Sequence, residues 1–167
     1  VVRAGRLCRE GSGVGRGSDA ILPDTPKPPA SVMKAFTALY AIETLGSQHR
    51  FETRLLATQP VVNGVLDGDL ILAGGGNPNL VTDQLAELAQ SLKETGLREV
   101  KGDFLVLDNA LTNLDEIDAG QDDYLGYNPT VTGLNLNYNR VHFEWKRDGT
   151  EYTTLMDARS ENFRPAV

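Results

Sequence analysis

A chain of 167 residues, 40% hydrophobic and 23% charged with a net charge of -7, holds enough apolar material for one compact domain or part of a larger one, and too little for two generous cores. That balance excludes a disordered polymer, and no apolar run approaches the roughly 18 residues a transmembrane helix needs. The acidity argues against nucleic acid as a partner, because affinity for phosphates requires a basic surface. Cys8 is the single cysteine, which excludes an intrachain disulfide and a Cys-based zinc site. The chain opens at Val1 without a charged-then-apolar leader and stops at Val167 without a polar tail, as expected of a piece of a longer polypeptide.

Residues 1–30 differ from the rest. Five basic residues (Arg3, Arg6, Arg9, Arg16, Lys27) against three acidic ones (Glu10, Asp19, Asp24) give this stretch +2, so the remaining residues carry -9 of the total -7. Glycines at 5, 11, 13, 15 and 17 and prolines at 23, 26, 28 and 29 predict an irregular segment. The glycine run is not a dinucleotide fingerprint, since Arg16 stands where the third glycine of G-x-G-x-x-G belongs. From Ser31 the pattern is helical: Val32, Phe36, Leu39, Tyr40, Ile42 and Leu45 recur at three- and four-residue steps, Pro28-Pro29 disfavour helix upstream, and Gly46 follows as a C-terminal stop. Residues 51–62 read as β structure leading into Asn63-Gly64, a two-residue hairpin signal, and residues 65–72 continue it with a second turn. Gly74-Gly75-Gly76-Asn77-Pro78 breaks the strand, and a second helix is expected from about Thr82 to Gly96 with Leu85, Leu88, Ala89 and Leu92 on one face. Residues 104–107 read as a buried strand, followed by a polar loop to about Tyr127. Val141, Phe143 and Trp145 alternate with His142, Glu144 and Lys146, Asp148-Gly149 turns, and residues 152–156 return as the partner strand. The sum is an α+β chain.

The sharpest chemical feature is Ser31-Val32-Met33-Lys34, an S-x-x-K at a helix start. Residues three apart on a helix share a face, with Cβ atoms about 5–6 Å apart, so the Lys34 amine can reach the Ser31 hydroxyl. Unpaired N–H groups and the positive end of the helix dipole favour negative charge developing there. A serine hydroxyl needs a base to take its proton, and at a reference pKa near 10.4 only about one lysine in a few thousand is neutral at pH 7. A catalytic Lys34 therefore requires burial or a neighbouring cation to bring it toward about 7–8. The bland alternative is an ordinary pair of helix-start residues.

Residues 29–39 (PASVMKAFTAL), 51–55 (FETRL), 64–70 (GVLDGDL) and 74–80 (GGGNPNL), extended by 126–129 (GYNP) and 133–141 (GLNLNYNRV), resemble the DacB-type D-alanyl-D-alanine carboxypeptidase/endopeptidases, the class C low-molecular-mass penicillin-binding proteins. The likeness covers about residues 28–165. It implies a catalytic helix, residues 31–50, of a transpeptidase/β-lactamase-like fold, then a partial, β-rich inserted α+β domain, residues 51–167, the whole being incomplete. It also implies Ser31 as the nucleophile that attacks the penultimate D-alanine carbonyl of a peptidoglycan stem peptide, Lys34 as general base, an acyl-enzyme, β-lactams as covalent inhibitors, no cofactor, and a periplasmic location for the intact protein. Of the accompanying motifs named for this group, S-D-N and K-T-G, K-T-G is absent and S-x-N is met only formally by Ser160-Glu161-Asn162. The expectation is therefore that residues 1–167 alone are hydrolytically weak or inactive.

Other candidates carry less. His49 and His142 lie in no metal-ligand spacing, and His142 reads as a polar-face strand residue. Asp115, Glu116, Asp118, Asp122 and Asp123 do not meet the D-x-[DN]-x-[DN]-G calcium pattern and read as a solvated acidic loop. Glycines 74–76 are expected to form a turn rather than an anion cradle, and Asn135, Asn137 and Asn139 to face one side of a strand or turn and satisfy local backbone. The rival to the enzyme reading is a non-catalytic module that binds peptidoglycan or another protein. A β-lactamase would need an extra deacylation base that the sequence does not offer.

Overall fold

The computed structural model describes Pro26 and residues 28–167, together with the backbone of Leu7–Cys8 and Ala20–Ile21. The chain divides into two compact units, Val1–His49 and Arg50–Val167. In the first, β1 (Leu7–Cys8) pairs antiparallel with β2 (Ala20–Ile21), so these four residues depart from the irregular opening expected of residues 1–30. The rest of that expectation, through residue 25 and at Lys27, lies outside the described residues. A short 3-10 turn, Ala30–Val32, then runs into α1 (Met33–Leu45), ended by Gly46 at φ 85°. Every apolar residue expected on the α1 core face is exposed, Phe36 to 64%.

The second unit is mixed α+β. β3 (Thr53–Ala57) pairs antiparallel with β6 (Leu70–Gly74), which pairs parallel with β8 (Phe104–Leu107). β4 (Val61–Val62) and β5 (Val65–Leu66) form the expected hairpin, with Asn63 and Gly64 at φ 53° and 79°, the positive pair a tight primed turn requires. β5 in turn pairs parallel with β7 (Glu99–Val100). The β-rich stretch expected over residues 51–72, with its hairpin at Asn63-Gly64 and a second turn after it, serves two sheets, and Thr58 and Asp69 close one corner: the Thr58 N–H reaches the Asp69 carbonyl at 3.0 Å and the Asp69 N–H reaches Thr58 Oγ1 at 2.8 Å.

α2 (Thr82–Glu94) connects β6 to the strands after it, and Gly96 ends the segment at φ 85°. Leu85, Leu88, Ala89 and Leu92 of α2 line an apolar cavity of about 280 Å³ with Leu55, Leu70, Leu72 and Phe104, as their spacing predicts. The deeply buried apolar residues are Leu66, Leu70, Leu72 and Leu80, with Leu66 fully inaccessible. The expectation that residues 104–107 form a buried strand is wrong in its burial. The strand forms, yet all four residues are exposed, because β8 is the edge of its sheet with β6 as its one neighbour.

β9 (His142–Asp148) and β10 (Glu151–Asp157) form the last hairpin about Gly149-Thr150. Phe143, Trp145, Tyr152 and Met156 share one exposed face, while His142, Glu144 and Asp157 share the other. Gly133 fixes how the preceding loop enters. A Cβ there would collide with the Asp108 carbonyl, and the Gly133 N–H instead donates to that oxygen at 2.7 Å.

Candidate active site

Ser31 lies in the 3-10 turn and Lys34 one residue into α1. Pro28 and Pro29 hold back the helix, and the turn closes with the Val32 N–H donating to the Pro29 carbonyl at 3.0 Å. Between them Ala30 adopts φ 44°, a left-handed value that costs a non-glycine residue about 1–2 kcal/mol. Such strain immediately before a candidate nucleophile sets the angle at which Ser31 leaves the turn.

The expected meeting of the two side chains is present: Lys34 Nζ donates to Ser31 Oγ at 3.0 Å. No acidic residue occupies the first turn of α1, and Lys34 has no carboxylate partner among the described residues, so the amine is directed at the hydroxyl. Both residues are exposed within this chain. The burial that a lysine base draws on is not supplied by the described residues around it. Chemically, the arrangement holds a proton donor and acceptor within a single transfer distance, the geometry a serine nucleophile and its base need.

The formal S-x-N residues have other partners. Ser160 Oγ donates in a very short hydrogen bond to Asp83 Oδ1 and accepts from the Asp83 N–H at 2.9 Å, and the Asn162 side-chain amide donates to Asp83 Oδ2 at 2.9 Å. The backbone N–H groups of Asn162 and Phe163 also reach that carboxylate. The Ser160 hydroxyl, with these other donors, holds the Asp83 carboxyl below its ordinary pKa against the opposing pull of desolvation. These residues tie the 160–163 segment to the start of α2, where Val81 has no side-chain acceptor to offer the free N–H groups.

Asn137 and Asn139 stand on a left-handed turn, the turn of the expected strand or turn, since residues 137, 138 and 139 have φ of 50°, 60° and 51°, and Asn135 precedes it. Asn135 and Asn139 bond locally as expected, to Thr132 and Thr130 and to each other. Asn137 acts at long range. Its Oδ1 accepts from the Thr82 N–H at 3.2 Å, and its Nδ2 donates to Thr82 Oγ1 at 2.8 Å and the Ala158 carbonyl at 3.1 Å. Their αL tolerance was the available signal, since asparagine is the non-glycine residue most at ease there.

The remaining candidates resolve simply. Gly76 donates to the Gly133 carbonyl at 2.8 Å, and a Cβ on Gly75 would strike the Glu52 carbonyl, so glycines 74–76 form a close-packed turn. The acidic loop is organised by Asn128, whose Oδ1 accepts from the Ile117 and Asp118 N–H groups at 2.9 and 2.8 Å. Among the described residues no group of His, Cys, Asp and Glu is arranged to hold a metal, and no helix is long and apolar enough to cross a membrane. His142 opens β9 with Nε2 3.6 Å from Glu144.

A serine–lysine pair on an exposed helix start, followed by a mixed α+β unit, defines a class of serine acyl-transfer candidates, and comparison with known proteins narrows it. The model of the D-Ala-D-Ala carboxypeptidase 3 (S13) family matches residues 22–163, and the chain belongs to that family. It is 36% identical over 118 residues to the D-alanyl-D-alanine carboxypeptidase DacB of Haemophilus influenzae, a match covering 69% of this chain and 24% of the relative. It is 42% identical over 77 residues to the D-alanyl-D-alanine carboxypeptidase of Actinomadura sp. (strain R39), covering 46% of this chain and 14% of the relative. The crystal structure of penicillin-binding protein 4 (dacB) from Haemophilus influenzae superposes with a TM-score of 0.62 at 30% identity, over 75% of this chain and 29% of that one. The same protein complexed with a novel β-lactam superposes with a TM-score of 0.55 at 32% identity, over 75% of this chain and 26% of that one. The chain therefore spans less than a third of each of these relatives.

Proposed function

We propose that this chain carries the nucleophile and base of a periplasmic serine D-Ala-D-Ala carboxypeptidase/endopeptidase that cleaves peptidoglycan stem peptides. The observation that carries the reading is the 3.0 Å contact between Lys34 Nζ and Ser31 Oγ at the start of α1. With Lys34 neutral, the amine takes the Ser31 proton as Oγ adds to the penultimate D-alanine carbonyl carbon. Collapse of the tetrahedral intermediate breaks the peptide bond, the leaving D-alanine nitrogen receives that proton, and the acyl group stays on Ser31 until water or an amine removes it. β-Lactams acylate the same oxygen. Their presence in the complex of the Haemophilus influenzae relative supports this reading.

The 167-residue chain alone is expected to hydrolyse slowly or not at all, because donors to the developing oxyanion commonly contribute orders of magnitude in rate and no K-T-G segment is present in it. The test is D-alanine release from an acyl-D-Ala-D-Ala peptide by the longer protein that contains this chain. Ser31→Ala abolishing release and Lys34→Ala lowering kcat by about a thousandfold or more support the assignment. Full activity of either variant refutes it and favours a non-catalytic binding module.

A further inference from the structure

The left-handed turn raises a separate question. Asparagine tolerates positive φ, but Tyr138 does not share that tolerance, and with the residue 54% exposed, burial does little to repay the strain. The turn is over-determined by Asn137 and Asn139, which bind Thr82, Ala158, Thr130 and Asn135. Its product is a ring held beside a cleft of about 330 Å³ in the second unit, which Tyr138 lines with Arg140, His142 and Arg159, and with Val81 and Val141 as apolar walls.

The charges around this cleft are unequal. Arg159 is pinned by a bidentate bond to buried Asp157, with Nε to Oδ1 and Nη2 to Oδ2 both at 2.6 Å, and lies 3.8 Å from Glu144. His142 faces Glu144 at 3.6 Å. Neither acid lines the cleft, and no carboxylate is among the described residues that do. Arg140 has no acidic partner among the described residues. Its guanidinium carbon sits 5.8 Å from the Tyr138 ring centroid, so its described interaction is with the face of an aromatic ring. One cation outside any ion pair, sharing a neighbouring cavity with Asp123 and flanked here by the spare N–H donors of a fixed guanidinium and an imidazole, matches a single negative charge better than a polyanion.

We propose that this cleft is a binding site for a small carboxylate ligand, with Arg140 as its charge partner, Arg159 and His142 as further donors, and the Tyr138 ring with Val81 and Val141 receiving the apolar group beside the carboxylate. The site uses no atom of Ser31 or Lys34, and the inference stands apart from the acyl-transfer reading. A planar guanidinium already oriented by its neighbours loses little freedom on pairing with a carboxylate, which favours binding over a freely rotating surface arginine.

The test is titration of the full 167-residue chain with N-acetyl-D-alanine, followed by amide and guanidinium NMR shifts. The expected result is saturable shifts at residues 138–142 and 159, absent with the neutral N-acetyl-D-alanine methylamide. Arg140→Gln and Tyr138→Asn, the second chosen to keep the left-handed backbone, each weaken binding about tenfold. Arg147→Gln, which removes a guanidinium on the hairpin, and Ser31→Ala leave it unchanged. Equal binding of the methylamide, tighter binding of inorganic phosphate at the same residues, less than a twofold effect of Arg140→Gln in a folded protein, or loss of binding in Ser31→Ala would each overturn the assignment.

Discussion

The two units of this chain solve the same problem in opposite ways. In the second, helix α2 lays Leu85, Leu88 and Leu92 toward the β3-β6-β8 sheet, and its first turn is tied by Asn137 and Ser160 from 55 and 77 residues away. In the first, α1 carries Met33, Phe36, Leu39, Tyr40, Ile42 and Leu45, yet all these large side chains are exposed and its chemistry is a contact between residues three apart. A helix apolar over so much of its surface belongs in an interior. The difference teaches that geometry at the Ser31–Lys34 pair is local, whereas the environment that would tune it is not.

The contrast can be broken by substitutions. Leu66→Ala, at the fully inaccessible position, should destabilise the second unit by about 4 kcal/mol, read as the urea midpoint of its cooperative unfolding. Asn137→Ala removes three long-range bonds and puts alanine at φ 50°, for an expected loss of about 3 kcal/mol by the same measurement. Gly133→Ala, forced against the Asp108 backbone, should cost about 2 kcal/mol. At the small end, Phe36→Ser on α1 should change the stability of this chain by less than about 0.5 kcal/mol, since its ring is already in solvent. A large loss from Phe36→Ser would show that α1 is covered, and the comparison would fail.

Acid sharpens the same distinction. Asp83 and Asp157 are held below the ordinary carboxylate range, by the Ser160 hydroxyl and the Arg159 guanidinium respectively. A depressed folded-state pKa stabilises above the unfolded value and loses that stabilisation as pH falls through the folded one. The second unit should therefore weaken below about pH 4, the reference range of the unfolded carboxylate. Asp83→Asn should flatten this dependence in pH-resolved thermal melts.

Much of this was legible in the sequence where the signal is local. The Asn63-Gly64 turn, both helices, the final hairpin and the meeting of Ser31 with Lys34 follow from spacing and turn chemistry. What was not legible depends on partners distant in the chain. The burial of residues 104–107 failed because an apolar run does not say whether its strand is central or at an edge. Asn137 looked like one of three alternating polar residues, and only tertiary placement shows that it caps a helix 55 positions earlier. Ser160 fits a catalytic pattern by composition while its hydroxyl is committed to Asp83, which no single-sequence spacing reveals.

The central claim is that Ser31 Oγ is the acylated atom and Lys34 its activating partner. Treating the longer protein that contains this chain with benzylpenicillin and mapping the adduct by peptide mass spectrometry tests it directly. The account predicts a single added penicilloyl mass on the peptide holding Ser31, absent in Ser31→Ala and slowed by about a thousandfold or more in Lys34→Ala. An adduct on another residue, or unchanged labelling of Ser31→Ala, would contradict it.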